Sequence, residues 1–132
     1  MILSGSVIKK SIQRGVISIK PLSEGQIDQA HVDLHLGEIN GQNGLFTLAP
    51  KGFVLAKTLE KITLPTTVCG LIEGRAGLAK KGVSVEQSSK FIEPGTNNTI
   101  TLEVFNASNE PVALEIGQRI AKLILMRVVD SI

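Results

Sequence analysis

Tryptophan and tyrosine are absent and phenylalanine occurs only four times in 132 residues, too little aromatic surface to stack the bases of a single-stranded nucleic acid. A single cysteine, Cys69, excludes an intrachain disulfide framework and points to a reducing cytoplasm. That cysteine and two histidines, His31 and His35, cannot build the zinc deaminases' set of one His or Cys plus a paired P-C-x-x-C. Charge of one sign is also lacking. Fourteen Lys and Arg against twelve Asp and Glu leave a net +2, too slight for a nucleic-acid-binding or polybasic membrane surface. No apolar run approaches the ~20 residues that span a bilayer, and the N-terminus lacks the apolar core of a signal peptide. A soluble cytoplasmic protein is expected, with neither nucleic acid nor membrane as a partner.

What is present suits one folded domain over residues 1–132, since 42% of residues are hydrophobic and 20% charged. Residues 4–15 carry a helix signature: Ser4 as N-cap, Leu3 and Ile8 as a hydrophobic staple, Ile8 and Ile12 on one face, Gly15 as the stop. Beyond it the period changes to two. A short strand is expected at 16–19, and 31–36 alternates with Val32, Leu34 and Leu36 on one face and His31, Asp33 and His35 on the other. Residues 37–44 read as a loop. Further strands are expected at 53–60, 68–74, 83–87, 99–106, 111–116 and 119–126, separated by turn signals such as Leu64-Pro65, Pro94-Gly95 with Asn97-Asn98, and Gly117. Only 75–81 breaks the β pattern, as a helical turn. Many short strands predict an all-β sandwich, jelly roll or small barrel. A mean hydropathy of +0.22 with few aromatics leaves apolar surface for subunit contacts.

Four stretches could carry chemistry. Residues 74–82 bring together Arg75, Lys80, Lys81 and three glycines, and fit either a phosphate-cradling loop or a basic turn; the Walker pattern is absent. In 99–105, Glu103 shares a strand face with Thr99, Thr101 and Phe105. It is either a general base in a closed pocket or a solvated strand glutamate. His31, Asp33 and His35 have the chemistry of metal ligands, but a polar outer face is the simpler reading. In 117–124, strict alternation puts Arg119 and Lys122 on opposite faces. Cys69 lies in an apolar strand and reads as a buried structural thiol.

Taken in order, these residues resemble the dCTP deaminase and trimeric dUTPase superfamily, more closely its dCTP deaminase branch. Met1-Ile2-Leu3-Ser4 with Ile8-Lys9-Lys10 is similar to that branch's N-terminal helix, and Val32-Asp33-Leu34-His35-Leu36-Gly37 to its V-D-L-x-L-G motif. Gly74-Arg75 with Leu78-Ala79 resembles G-R-S-S-L-A-R-x-G. Ile92, Pro94 and Gly95 resemble I-D-P-G, and Ile100-Thr101-Leu102-Glu103 with Asn106 resembles I-T-L-E-x-x-N. Gly117, Arg119-Ile120-Ala121 and Leu123-Ile124 resemble the dUTPase G-x-R-I-A-Q-L-I.

The resemblance implies a jelly-roll-like distorted β-barrel of the dUTPase type with a short N-terminal helix, a homotrimer, and nucleotide sites between subunits. It implies a zinc-free deaminase converting dCTP to dUTP and ammonia, with Glu103 as general base and then acid. Arg75, Ala76, Gly77, Lys80, Glu93 and Gly95 are the implied substrate-binding positions, with Arg75 and Lys80 toward the phosphates. Mg2+ would enter with the triphosphate, and no protein metal site is expected. Where the family has serines, this chain has Ala76, at the position that helps hold the attacking water, and Gly77. Lys80 replaces an arginine, Glu86 a histidine, Glu93 an aspartate and Lys122 a dUTPase glutamine; a threonine, Thr96, follows Pro-Gly. The family's C-terminal segment that closes over the triphosphate is not expected. Two other readings stand beside deamination. One is hydrolysis of dUTP to dUMP with Glu93 orienting water; the other is a noncatalytic trimer that binds a nucleotide or protein partner through a remnant site.

Overall fold

From residue 16 onward the backbone follows the period-two pattern of the sequence. The structure is a computed structural model that describes residues 1–42 and 44–131; Asn43, in the expected 37–44 loop, and Ile132 lie outside the described residues. α1 (Gly5–Gln13) is followed by β1 (Ser18–Lys20), β2 (Val32–Ile39), β3 (Leu45–Leu48), β4 (Phe53–Thr63) and β5 (Val68–Gly74). α2 (Ala76–Ala79) then leads to β6 (Val83–Ser84), β7 (Lys90–Ile92), β8 (Asn97–Asn106), β9 (Val112–Glu115) and β10 (Arg119–Arg127). One antiparallel sheet runs β6-β8-β4-β2-β10-β5-β7, with β1 added to β4, while β3 and β9 pair separately. The architecture is the expected all-β, jelly-roll-like curled sheet with a short N-terminal helix.

Its interior is filled by alternate residues of the long strands: Val32, Leu34 and Leu36 of β2, Leu102 and Val104 of β8, and Ile120, Leu123 and Leu125 of β10 are buried. α1 starts where the cap signal puts it, with the Val7 N–H donating to Ser4 Oγ at 3.3 Å. Gly15, at φ +74°, turns the chain out of it.

The structure moves several of the expected boundaries. β2 runs on to Ile39 because Gly37 lets the Leu59 backbone approach; a Cβ there would sit 2.7 Å from Leu59 Cα. β3 and β7, short and with no alternation of their own, had no expected counterpart. β8 begins at Asn97, since the turn is made earlier, by Gly95 at φ +82° with the Thr96 N–H donating to Glu93 O at 3.2 Å. The expected 83–87 strand stops at Ser84. Residues 85–89 instead link β6 and β7, the two edge strands of the sheet.

Two bulges matter for the site. Between Arg119 and Ala121 the register of β10 on β2 slips, so that Arg119 lies opposite His35 and Lys122 opposite Asp33. Arg119 and Lys122 therefore share a face, not the opposite faces that strict alternation gives. The β4–β8 ladder is likewise interrupted between Lys57 and Lys61. There the Thr58 hydroxyl fills the gap, accepting from the Ile100 N–H at 2.9 Å and donating to Glu60 O at 2.9 Å.

Candidate functional site

The face of β2 that carries Asp33 and His35 is a network of satisfied polar groups. Asp33, buried, takes Arg75 Nη1 at 3.0 Å and His31 Nε2 at 3.3 Å on Oδ1, with Arg119 Nη1 at 3.7 Å from Oδ2. Beside it Glu60, carried inward at the β4 bulge, has a side chain 1% exposed. It accepts from the His35 N–H at 2.9 Å and from Gln26 Nε2 at 2.8 Å, and His35 Nδ1 lies 2.6 Å from its Oε2. Both Glu60 oxygens have a donor, as burial of a carboxylate requires, while Asp33 Oδ2 faces the Arg119 guanidinium 3.7 Å away. His31, Asp33 and His35 are thus engaged with cations and with Glu60. Among the described residues no three His, Cys, Asp or Glu side chains gather as metal ligands would.

A cleft of about 640 Å³ opens next to this network, between the end of β5, α2, β6 and the 85–89 link. Arg75, Lys122, Glu73, Ala76, Ser84 and Glu86 are among its lining residues. Arg75 reaches it as the N-cap of α2, at an extended φ of −94°, and Lys122 through the slipped register of β10. The lining mixes the cations Arg75 and Lys122 with the Glu73 and Glu86 carboxyls and the hydroxyls of Ser84, Ser88 and Ser89, which suits a polar ligand that carries negative charge.

Glu86 is the unusual member. Its side chain is 6% exposed, both carboxyl oxygens are buried without a hydrogen-bond donor, and Lys90 Nζ stands 3.8 Å from Oε1. Burial, then the adjoining Glu103 carboxyl, push Glu86 up to about 7, against the partial opposition of Lys90. β6 pairs with β8 at Val83–Asn106 and Ser84–Phe105, which brings the residues that follow β6 toward the stretch of β8 that holds Glu103. Glu103 itself is half-buried and shares its sheet face with Leu55 and Phe105, as the alternation of β8 predicts.

Of the expected site residues, Arg75 and Ala76 line the cleft; Glu103 is outside its lining and adjoins Glu86, which is in it. Gly77 and Lys80 sit in and just after α2 on the exposed side, away from the lining. Glu93 and Gly95 lie in the β7–β8 turn, also outside it. Arg75, expected toward phosphates, has Asp33 as its ionic partner here. Cys69 is buried in β5. From sequence, Asp33 reads as a metal ligand or outer-face residue, Lys122 as a cation on the face opposite to Arg119, and Glu86 as a replacement for a family histidine; the Glu60–Gln26 pair is not indicated. The signal in the sequence for Glu86 is its place where the resembled family has a histidine.

Residues 38–128 match the family model described as dCTP deaminase-like. The chain belongs to the dCTP deaminase-like family. Among its curated relatives, the dUMP-forming dCTP deaminase of Sulfurihydrogenibium sp. (strain YO3AOP1) is 33% identical over 156 residues, covering 98% of this chain and 86% of the relative. That of Aquifex aeolicus (strain VF5) is 32% identical over 148 residues, covering 96% and 82%. Among solved structures, the 2'-deoxycytidine 5'-triphosphate deaminase of Agrobacterium tumefaciens superposes with a TM-score of 0.78 at 14% identity over 97% of this chain. The present chain spans about half of that protein, 48%. A mutant dUTPase from phage phi11 of S. aureus, which coordinates a structural Mg(II) ion, gives a TM-score of 0.69 at 15% identity, over 87% of this chain and 92% of that one. At such identities these two likenesses speak for the fold, and the deaminase-like family assignment rests on the sequence matches.

Proposed function

We propose that this member of the dCTP deaminase-like family deaminates dCTP and carries the product to dUMP, with dCTP and two waters giving dUMP, diphosphate and ammonia. The relatives' dUMP-forming designation supports joining the two activities that the sequence offered separately, so dUTP becomes an intermediate in place of the final product. The observation that carries the reading is the cleft itself, lined by Arg75, Lys122 and the buried Glu86 carboxyl, with Glu103 adjoining Glu86. In the first hydrolysis Glu103 takes a proton from water as the water oxygen bonds to C4 of cytosine, and delivers it to ring N3. It then moves the remaining hydroxyl proton to the amine, the C4–N bond breaks, and ammonia leaves. In the second hydrolysis water attacks the α-phosphorus and diphosphate departs; Glu93, which orients that water in this reading, lies outside the cleft of its own protomer and would act in a site shared with a second one. Magnesium travels with the triphosphate as part of the substrate, and Arg75 and Lys122, which line the cleft, offset phosphate charge.

Assembly as a homotrimer with sites between subunits belongs to the same reading. Its support is the apolar surface beside Glu103, where Phe53 and Leu55 are 52% and 51% exposed on the face they share with it. A second protomer there would bury these side chains and close the site against water. A cytoplasmic location fits the free thiol of Cys69 and the absence, among the described residues, of any helix long and apolar enough to cross a membrane.

The test is an incubation of the purified protein with dCTP and Mg2+, following ammonia and diphosphate together. Both are expected in equal amounts, and Glu103→Gln should lower ammonia release by ~10² to 10⁴-fold. Wild-type protein that binds dCTP, seen as thermal stabilisation, yet releases no ammonia would replace the enzyme reading with a noncatalytic nucleotide-binding one.

A further inference from the structure

Glu103 stands outside the lining of the cleft, and the register of the strands around it shows what connects the two. In the sheet, Leu55 of β4 pairs with Glu103 on one side. In the next row Phe53 of β4 pairs with Phe105, and Ser84 of β6 pairs with Phe105 from the other side. Directly opposed residues of antiparallel strands point to the same face, as do residues two apart along one strand. Ser84, Phe105 and Glu103 therefore share a face, with Ser84 diagonal to Glu103. β6 ends at Ser84, so the place beside Glu103 on that side holds no paired strand residue. Diagonal neighbours are about 7–8 Å apart, a gap that a serine hydroxyl and a glutamate carboxyl span through one water.

Ser84 also lines the cleft, with an exposed side chain. The other hydroxyls nearby fit less well. Ser88 and Ser89 line the cleft too, but they belong to the 85–89 link and no ladder ties them to β8. Thr101 shares the face of Glu103 but opens onto a different pocket, beside Leu55 and Lys57. Ala76 brings no hydroxyl, and both Glu86 oxygens are buried. Ser84 is thus the one lining residue, among the described residues, that pairing with β8 places on the face of Glu103.

We infer that the Ser84 hydroxyl holds the water that Glu103 activates, a role that rests on the deaminase reading above. The water donates one hydrogen bond to the Glu103 carboxylate and the other to Ser84 Oγ, which leaves its lone pair for C4 of the cytosine ring. Held by Glu103 alone, that water swings about a single hydrogen bond; a second acceptor fixes its direction. As the C4–O bond forms, the first proton passes to Glu103, and Ser84 keeps its hydrogen bond to the new C4 hydroxyl. Ser84 forms no covalent bond, and its own proton is not consumed.

Two measurements on the full chain test this. At an exposed strand position threonine and valine, nearly equal in shape, are both accommodated, and only threonine keeps the hydroxyl. Ser84→Val should lower kcat for ammonia release by roughly 10²-fold with little change in KM, as misplacing a reactant does. Ser84→Thr should stay within a few-fold of the wild type, and so should Thr101→Val. Equal kcat in the Thr and Val variants at 84, a loss confined to KM, or an equal fall in Thr101→Val overturns the assignment. The second measurement is calorimetric binding of 2′-deoxytetrahydrouridine triphosphate, whose tetrahedral C4 carries the hydroxyl that the water becomes. The wild type should bind it more tightly than dCTP, and Ser84→Val should lose ~10-fold of that preference, the scale of one hydrogen bond. A preference unchanged in Ser84→Val overturns the contact. A wild type that releases no ammonia removes the deamination reading. The analogue's preference, present there and lost in Ser84→Val, then still upholds the contact at Ser84, and its absence from the wild type overturns it.

Discussion

Two glutamates sit buried on this barrel in opposite circumstances. Glu60 is enclosed by donors: the His35 N–H, the Gln26 amide and the His35 ring all reach its oxygens at 2.6–2.9 Å. Among the described residues Glu86 has no side-chain donor within hydrogen-bonding distance; Lys90 Nζ stands 3.8 Å away, and another neighbour is the Glu103 carboxyl. Burial alone therefore does not separate structure from function here. The separating property is whether the buried charge is satisfied. Glu60 ties the Gln26 segment to β2 and β4 and belongs to the framework. Glu86 borders the cleft, and its unfavourable placement is the kind of local cost that working sites carry.

The sharpest way to break the comparison is to make the same change at both positions. Glu60→Leu strands the Gln26 amide and the His35 N–H in a dry site, and should destabilise the fold by ~3–5 kcal/mol in urea unfolding. Glu86→Leu strands no donor within hydrogen-bonding distance and should stabilise the fold at pH 8. A loss at both positions would show that Glu86 has a structural partner after all.

Next in size is the pH dependence. The folded state keeps the Glu86 proton up to about pH 7, whereas the unfolded chain releases it near the ordinary value of 4.5. Between those values the folded state binds more protons. Wild-type stability therefore falls as pH rises through this window and levels off above it. Glu86→Gln removes that slope, so its advantage over wild type should grow from near zero below pH 4.5 to on the order of 2 kcal/mol above pH 7. Thermal melts at pH 4, 6 and 8 measure it. The smallest effect belongs to Arg119, 59% exposed and 3.7 Å from Asp33. Arg119→Ala should change stability by less than ~0.5 kcal/mol, in contrast to the buried groups around it.

The sequence made the local periods legible and the non-local pairings much less so. Val32, Leu34 and Leu36 against Asp33 and His35, and Ile100, Leu102 and Val104 against Glu103, follow from alternation within one strand, because the pleat fixes which side each residue takes. The bulges do not follow, since each is a property of two strands in register. That is why Arg119 and Lys122 were assigned to opposite faces when the slip at Ala121 puts them together. Arg75 with Asp33 and Glu86 with Glu103 are contacts between distant segments, and no spacing rule along the chain announces them. Alternation gives the face on which Glu103 lies, and the family resemblance gives the role expected of it. Its partner was visible only as a departure from a family pattern.

β6 and β7 are the two ends of the sheet, yet they are consecutive in the chain and joined by residues 85–89. The barrel thus has a seam, and the cleft opens along it. Elsewhere in the sheet, separating two strands means breaking ladder hydrogen bonds. Among the described residues no ladder bonds join the two edges, so this side of the cleft is closed by the covalent 85–89 link in place of a strand pair. On its other side stands the polar framework of β2 and Glu60, held by hydrogen bonds on both Glu60 oxygens.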